Sequence, residues 1–246
     1  MKKWLAVLTV LLLFIAIPAM AEDIFFQSGM TQELFKDFSK EMGGMLLYRA
    51  VAPAAPLGLT GFDIGVETTV TDINTGKDYW EKAFKDENAP SYLVMPKLHA
   101  QKGLPFGIDL GLVYSKVLDT DIQYLGGEVK YAIFEGGVVW PAVAVRGSYT
   151  QIMGADQLDF KTYGLEVTAS KGFGVGVKIT PYASIGQYWD NSTPKNLPAG
   201  IHLSSESFSM TRFAAGAKLQ FPIFDVTAEA DYAQVPSYTL RVGITW

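Results

Sequence analysis

The chain has 246 residues, no cysteine, 49% hydrophobic residues, and 20 Lys and Arg against 25 Asp and Glu. The acidic balance argues against a nucleic-acid partner, which needs a basic face, and the missing thiols exclude disulfides, thiol catalysis and Cys-based metal sites. The length suits one large β domain or two small domains.

The first element is an export signal. Lys2 and Lys3 precede an apolar run that closes on Ala19-Met20-Ala21, which predicts a secretory signal peptide over 1–21 cleaved after Ala21. Losing Lys2 and Lys3 moves the formal charge from −5 to −7. Beyond it, no stretch approaches the roughly 20 apolar residues of a membrane helix.

Residues 22–60 form an N-terminal unit. Thr31 is placed to cap a helix whose Leu34, Phe35, Phe38 and Met42 share one face, with Gly43-Gly44 as its stop. "MLLYRAV" (45–51) reads as an extended piece and "APAAPLG" (52–58) as a turn or loop. An apolar helical face on an exported segment needs a partner, so a plug for a lumen, a lid over its periplasmic mouth or a contact with the membrane surface is expected, the plug or lid first.

From Gly61 to Trp246 apolar and polar residues alternate in ten segments, each about ten residues long. The polar faces carry, in order, Asp63 and Glu67, then Lys97 and His99, Asp109, Glu128 and Lys130, Arg146, Glu166, Lys178, Arg212 and Lys218, Asp225, Glu229 and Asp231, and finally Arg241. Period two places each set on one side of a strand. Ten such segments are the signature of an all-β, antiparallel transmembrane β-barrel. A soluble sandwich alternates too, but the export signal, the tyrosine-rich apolar faces and the terminal aromatic favour the membrane. If "MLLYRAV" and "IFFQSGM" were strands, the count would be twelve instead of ten.

With a periplasmic C-terminus, the short periplasmic turns fall at 101–105, 134–140, 171–174 and 221–224. The outer loops fall at 74–91, 116–121, 151–159, 189–207 and 233–237. The two longest connections lie outside, as such barrels require. In the first of them, Tyr79, Trp80, Ala83 and Phe84 fit one face of a short helix.

The chain closes on "SYTLRVGITW", in which Tyr238, Leu240, Val242, Ile244 and Trp246 share a face. This decamer resembles the C-terminal strand of Gram-negative outer-membrane β-barrel proteins, with Trp in place of the usual final Phe. The resemblance implies residence in the cell outer membrane, contact with its lipid and lipopolysaccharide, and those five residues as the signal read by the barrel-assembly machinery.

No metal, cofactor or catalytic motif stands out, and no enzyme is predicted. His99 falls on the lumen face beside Lys97, and His202 lies in an outer loop near Ser204, Ser205 and Glu206. The near-balanced lumen charges either brace the barrel as ion pairs or line a narrow hydrated path for a small solute. The first expectation is a small transport or channel-type protein. The alternative is a structural or surface-interaction barrel whose outer loops bind a partner.

Overall fold

The computed structural model describes residues 23–73, 76–84, 92–116, 120–174 and 176–246. The segment expected as a signal peptide and its expected cleavage site lie outside the described residues, as do parts of the connections at 74–91 and 117–119. The architecture is a closed, ten-stranded antiparallel barrel. Its strands are β1 (Phe62–Asp72), β2 (Tyr92–Gly103), β3 (Ile108–Lys116), β4 (Gln123–Phe134), β5 (Ala142–Met153), β6 (Leu158–Ser170), β7 (Lys178–Pro194), β8 (Glu206–Gln220), β9 (Asp225–Ala233) and β10 (Val235–Thr245). Each pairs with its neighbours in sequence, and β1 pairs with β10 to close the ring. Closure leaves no strand edge unpaired, which the absence of water inside a bilayer demands.

Alternation sets the two surfaces. Residues such as Ile64, Leu112, Tyr131, Leu165 and Phe213 face outward and are exposed, while their strand neighbours Asp63, Asp109, Lys130, Glu166 and Arg212 are buried inside. The end of the barrel from which the 154–157 and 195–205 connections emerge is termed the loop end here. The other end, with connections 104–107, 135–141, 171–177 and 221–224, is the turn end.

Several loops are shorter than the sequence predicts. The connection expected at 151–159 shrinks to 154–157, and that expected at 189–207 shrinks to 195–205. The loop expected at 233–237 is Gln234 alone, with φ of 71°. In each case the strands run on. Polar residues such as Asn191 and Ser192 read as loop, but they pair with Ser207 and Glu206 on β8, which keeps their backbone groups satisfied.

The N-terminal segment occupies the lumen. Helix α1 (Gln32–Leu46) starts on Thr31, whose Oγ1 accepts from the Leu34 N–H at 3.3 Å. The helix runs through Gly43-Gly44 instead of stopping there. Those glycines serve close approach: a Cβ on Gly44 would lie 2.1 Å from the Ala233 carbonyl oxygen, and one on Gly43 would lie 2.6 Å from the Met210 methyl. Phe35, Phe38, Met42, Met45 and Leu46 point into an apolar core at the loop end. Phe38 packs edge-on to Phe26 at 5.6 Å and to Trp80 at 5.2 Å. Helix α2 (Asp78–Glu81) holds Tyr79 and Trp80, and Ala83 and Phe84 follow it in a turn, all four buried in the same core.

"MLLYRAV" is no strand, which removes the twelve-strand alternative. Met45 and Leu46 finish α1, and residues 47–60 descend through the barrel as an irregular thread. Its contacts mark the descent. The Leu47 carbonyl accepts from Tyr124 at 3.3 Å, the Ala54 N–H donates to Ser170 at 3.0 Å, and the Leu57 N–H donates to Asp109 at 3.1 Å. Gly103 N–H then donates to the Gly61 carbonyl at the turn end, where β1 begins. "IFFQSGM" is no strand either: it turns at Ser28-Gly29 and lies at the loop end, where the Phe25 N–H donates to the Ala83 carbonyl.

Candidate functional site

The site is the lumen: a wall of paired charges around a threaded segment. Cross-strand register assembles the first pairs. Glu67 stands opposite Lys97, Asp109 opposite Lys130, and Arg146 opposite Glu166. Opposite charges directly across an antiparallel ladder stabilise the pairing, and burial makes such partners obligatory.

The pairs join into groups. Near the turn end, the Lys218 ammonium lies 2.9 Å from Asp63 and 3.3 Å from Asp225. Arg241 bridges the same two carboxylates, and the Thr245 hydroxyl lies 2.6 Å from Asp63 and 2.7 Å from Asp225. A longer belt crosses from β4 to β9. Glu128 pairs with Arg146, Arg146 with Glu166 at 2.5 Å, Glu166 with Arg212 at 2.7 Å, and Arg212 with both Glu229 and Asp231. The Tyr188 and Tyr182 hydroxyls donate to Glu166 and Glu229.

Lys130 and His99 also tie the thread to the wall. The Lys130 ammonium lies 2.8 Å from Asp109 and donates to the Ala55 carbonyl at 3.1 Å. The His99 ring sits between Glu67 and Tyr48, with Nδ1 3.2 Å from the carboxylate and Nε2 3.1 Å from the Tyr48 hydroxyl. His99 is thus held as a wall residue with both nitrogens engaged.

Of the sequence-predicted lumen residues, Lys178 alone stands apart. It has the inward parity of β7 but sits exposed at the turn-end rim, where the barrel interior has ended. Asp63, Glu67, Lys97, His99, Asp109, Glu128, Lys130, Arg146, Glu166, Arg212, Lys218, Asp225, Glu229, Asp231 and Arg241 are all buried within. His202 is exposed at the loop end. Its neighbours Ser204 and Glu206 engage Gln32 at the start of α1, so they fasten the helix.

The sequence reading missed three charged participants. Arg49 is the thread's own cation, with Nε 2.9 Å from Asp231 and hydrogen bonds to Ser237 Oγ and to the Gly44 and Met45 carbonyls. Glu41 on α1 accepts from the Tyr79 hydroxyl at 2.8 Å and from the Trp80 indole. Burial first, and then the Glu41 carboxylate, raise the Tyr79 phenol above its ordinary range, so it stays a donor. Asp190 is buried on β7 under the helix and accepts from Thr162 at 2.6 Å.

On the closing strand, Tyr238, Leu240, Ile244 and Trp246 are exposed outward, while Val242, in register with Val66 and Val226, is buried. Trp246 exchanges two backbone hydrogen bonds with Phe62 at the seam.

A closed barrel, charged within and apolar without, defines a class: a transmembrane β-barrel of the outer-membrane kind. Solved structures of outer-membrane proteins resemble it. Ail, the attachment invasion locus protein of Yersinia pestis, is 18% identical over 76% of this chain and 97% of Ail, with a TM-score of 0.29. The backbone structure of Ail in a phospholipid bilayer nanodisc is 18% identical over 76% of this chain and 99% of that one, with a TM-score of 0.28. Neisserial surface protein A is 10% identical over 76% of this chain and 96% of that one, with a TM-score of 0.32. No family model matches the chain, and no curated protein matches it.

Proposed function

We propose that the protein is a non-conducting outer-membrane barrel, a rigid mount that presents its loop end to the cell exterior and keeps its C-terminus in the periplasm. One observation carries this reading: residues 23–60 fill the lumen from the loop end to the turn end. The transport reading favoured by the sequence requires that segment to leave.

A magnitude supports the closed reading. Helix α1 buries Phe35, Phe38, Met42, Met45 and Leu46. Burying one such side chain contributes about 1.5–3 kcal/mol. Lifting the helix into water therefore costs on the order of 8 kcal/mol or more, which holds the lifted form near one molecule in a million. A gate with that population conducts negligibly at rest. The wall charges brace the closed barrel, and the five C-terminal positions from Tyr238 to Trp246 address the chain to the assembly machinery.

Conductance in planar lipid bilayers tests the proposal. The full mature chain is expected to be silent, and a chain lacking residues 31–60 is expected to show discrete conductance if it still closes its barrel. Stable single-channel steps from the full chain, at a rate one per inserted barrel, would overturn the closed reading and restore transport.

A further inference from the structure

The two ends of the barrel treat apolar side chains in opposite ways. At the loop end, Phe26, Phe35, Phe38 and Trp80 are packed into a core. At the turn end, the connection 135–141 between β4 and β5 presents Val138, Val139 and Trp140, which are 98%, 75% and 76% exposed. Phe106 and Phe173, on the two flanking turns, are exposed as well, and so is Phe134 at the end of β4.

This turn is built, not loose. Gly136 takes a φ of 82°, which starts the reversal. The Gly137 N–H donates to the Trp140 carbonyl at 3.0 Å. The Lys171 ammonium reaches across from the β6–β7 turn and donates to the carbonyls of Gly137, Val138 and Trp140 at 2.6, 2.7 and 3.2 Å. An ammonium has three donors, and all three are used on this one turn. Pro141 has no N–H to satisfy. Three of the turn's carbonyls are thus gathered on one ammonium, while the side chains of Val138, Val139 and Trp140 stand out beyond the exposed Glu135.

A turn meant for water has no need to consume its carbonyls, because water does so. Gathering three carbonyls on Lys171 lowers the cost of bringing this turn against lipid, where each unmatched backbone group costs several kcal/mol. The apolar surface is also continuous with the outward face of β4, where Tyr131 and Ile133 are exposed. Tryptophan at such a boundary suits the membrane–water interface.

We propose that the 135–141 turn is a membrane anchor: its Val138-Val139-Trp140 tip, braced by Lys171, inserts into the phospholipid leaflet at the turn end. The occupant of this surface is lipid, and the inference rests on the reading of the barrel as membrane-spanning.

The chain has no cysteine, so single cysteines report cleanly. Val138→Cys, Leu112→Cys on the outward face of β3 and His202→Cys at the loop end are each spin-labelled in the full mature chain. The proteins are reconstituted into phosphatidylethanolamine–phosphatidylglycerol vesicles, and collisions with oxygen and with a water-soluble nickel chelate are compared. Labels at 112 and 138 are expected to favour oxygen, and the label at 202 to favour nickel. A 138 label as open to nickel as the 202 label overturns the anchor while leaving the barrel reading intact. A 112 label open to nickel would instead defeat the membrane reading itself. Should Val138→Cys fail to fold, the difference in fluorescence between wild type and Trp140→Phe in brominated-lipid vesicles reads the same point. Bromolipid is expected to quench that difference, and an unquenched difference overturns the anchor. A tip that is wet in vesicles and shielded only by added periplasmic protein also overturns it, in favour of a protein partner.

Discussion

Replacing Arg49 by methionine tests how the thread is held. The guanidinium is fully buried, with Nε 2.9 Å and Nη2 3.2 Å from Asp231, and hydrogen bonds of 2.8 to 2.9 Å to the Gly44 and Met45 carbonyls and to Ser237. Breaking a buried pair by removing one partner costs about 3–5 kcal/mol. Two features move the expectation to the lower half of that range. Asp231 keeps Arg212 at 3.2 Å, so it is not stranded, and methionine retains most of the apolar stem. The expected loss is about 3 kcal/mol. With a urea slope of roughly 1–3 kcal/mol per molar, the unfolding midpoint should fall by about 1–3 M. The assay is urea unfolding in detergent micelles, followed by the loss of heat-modifiable gel mobility. A double-mutant cycle with Asp231→Asn should show a coupling of about 1–3 kcal/mol. A shift below about 0.5 kcal/mol, within the ordinary scatter of surface substitutions, or a coupling of zero, would refute the claim that this pair ties the thread to the wall.

Gly44→Ala should destabilise the barrel by about 1–3 kcal/mol, because the new methyl meets the Ala233 carbonyl; the usual gain for Gly to Ala inside a helix has the opposite sign, so a thermal midpoint that rises would contradict the packing. Phe38→Ala should cost about 3–5 kcal/mol and expose α1 to protease in intact barrels, read by limited proteolysis; unchanged cleavage would show that the apolar core does not hold the helix. Thr31→Ala should cost about 1 kcal/mol through its lost helix cap, a shift a urea titration can resolve. Deleting Trp246 should lower the amount of heat-modifiable protein in the outer-membrane fraction, and full insertion without it would remove its assembly role.

Much of the barrel was legible because its cause is local. A period of two needs only adjacent residues, so every strand is visible in the sequence and most of the buried lumen charges follow from parity. Strand ends were not legible, because Asn191, Ser192 and Thr193 look like loop residues in isolation. Only the facing β8 residues explain why the ladder continues. The two glycines of α1 misled for the same reason. Gly43-Gly44 signals a helix stop locally, yet the approach of Met210 and Ala233, on strands far along the chain, is what requires them. The thread was least legible, since it has neither period and its neighbours come from all around the wall. A clue to Arg49 was nevertheless present. Acidic residues outnumber basic ones on the predicted lumen faces, and one arginine interrupts an otherwise apolar stretch beside them.

The order in which the thread and the helix lie along the lumen restricts how the protein could ever open. The thread is fixed at the turn end by its direct continuation into β1 and widens into α1 only at the loop end. A helix with its side chains is about 10–12 Å across, so it cannot be drawn down through a lumen crossed by arginine–carboxylate belts. Its free direction is outward. The helix can rise like a cork on a string, but the string stays in the bottle: residues 47–60 remain in the lumen as long as their end is joined to β1. With α1 folded, emptying the lumen therefore demands opening the barrel's own seam between β1 and β10, so connectivity adds to the contacts that keep the molecule closed.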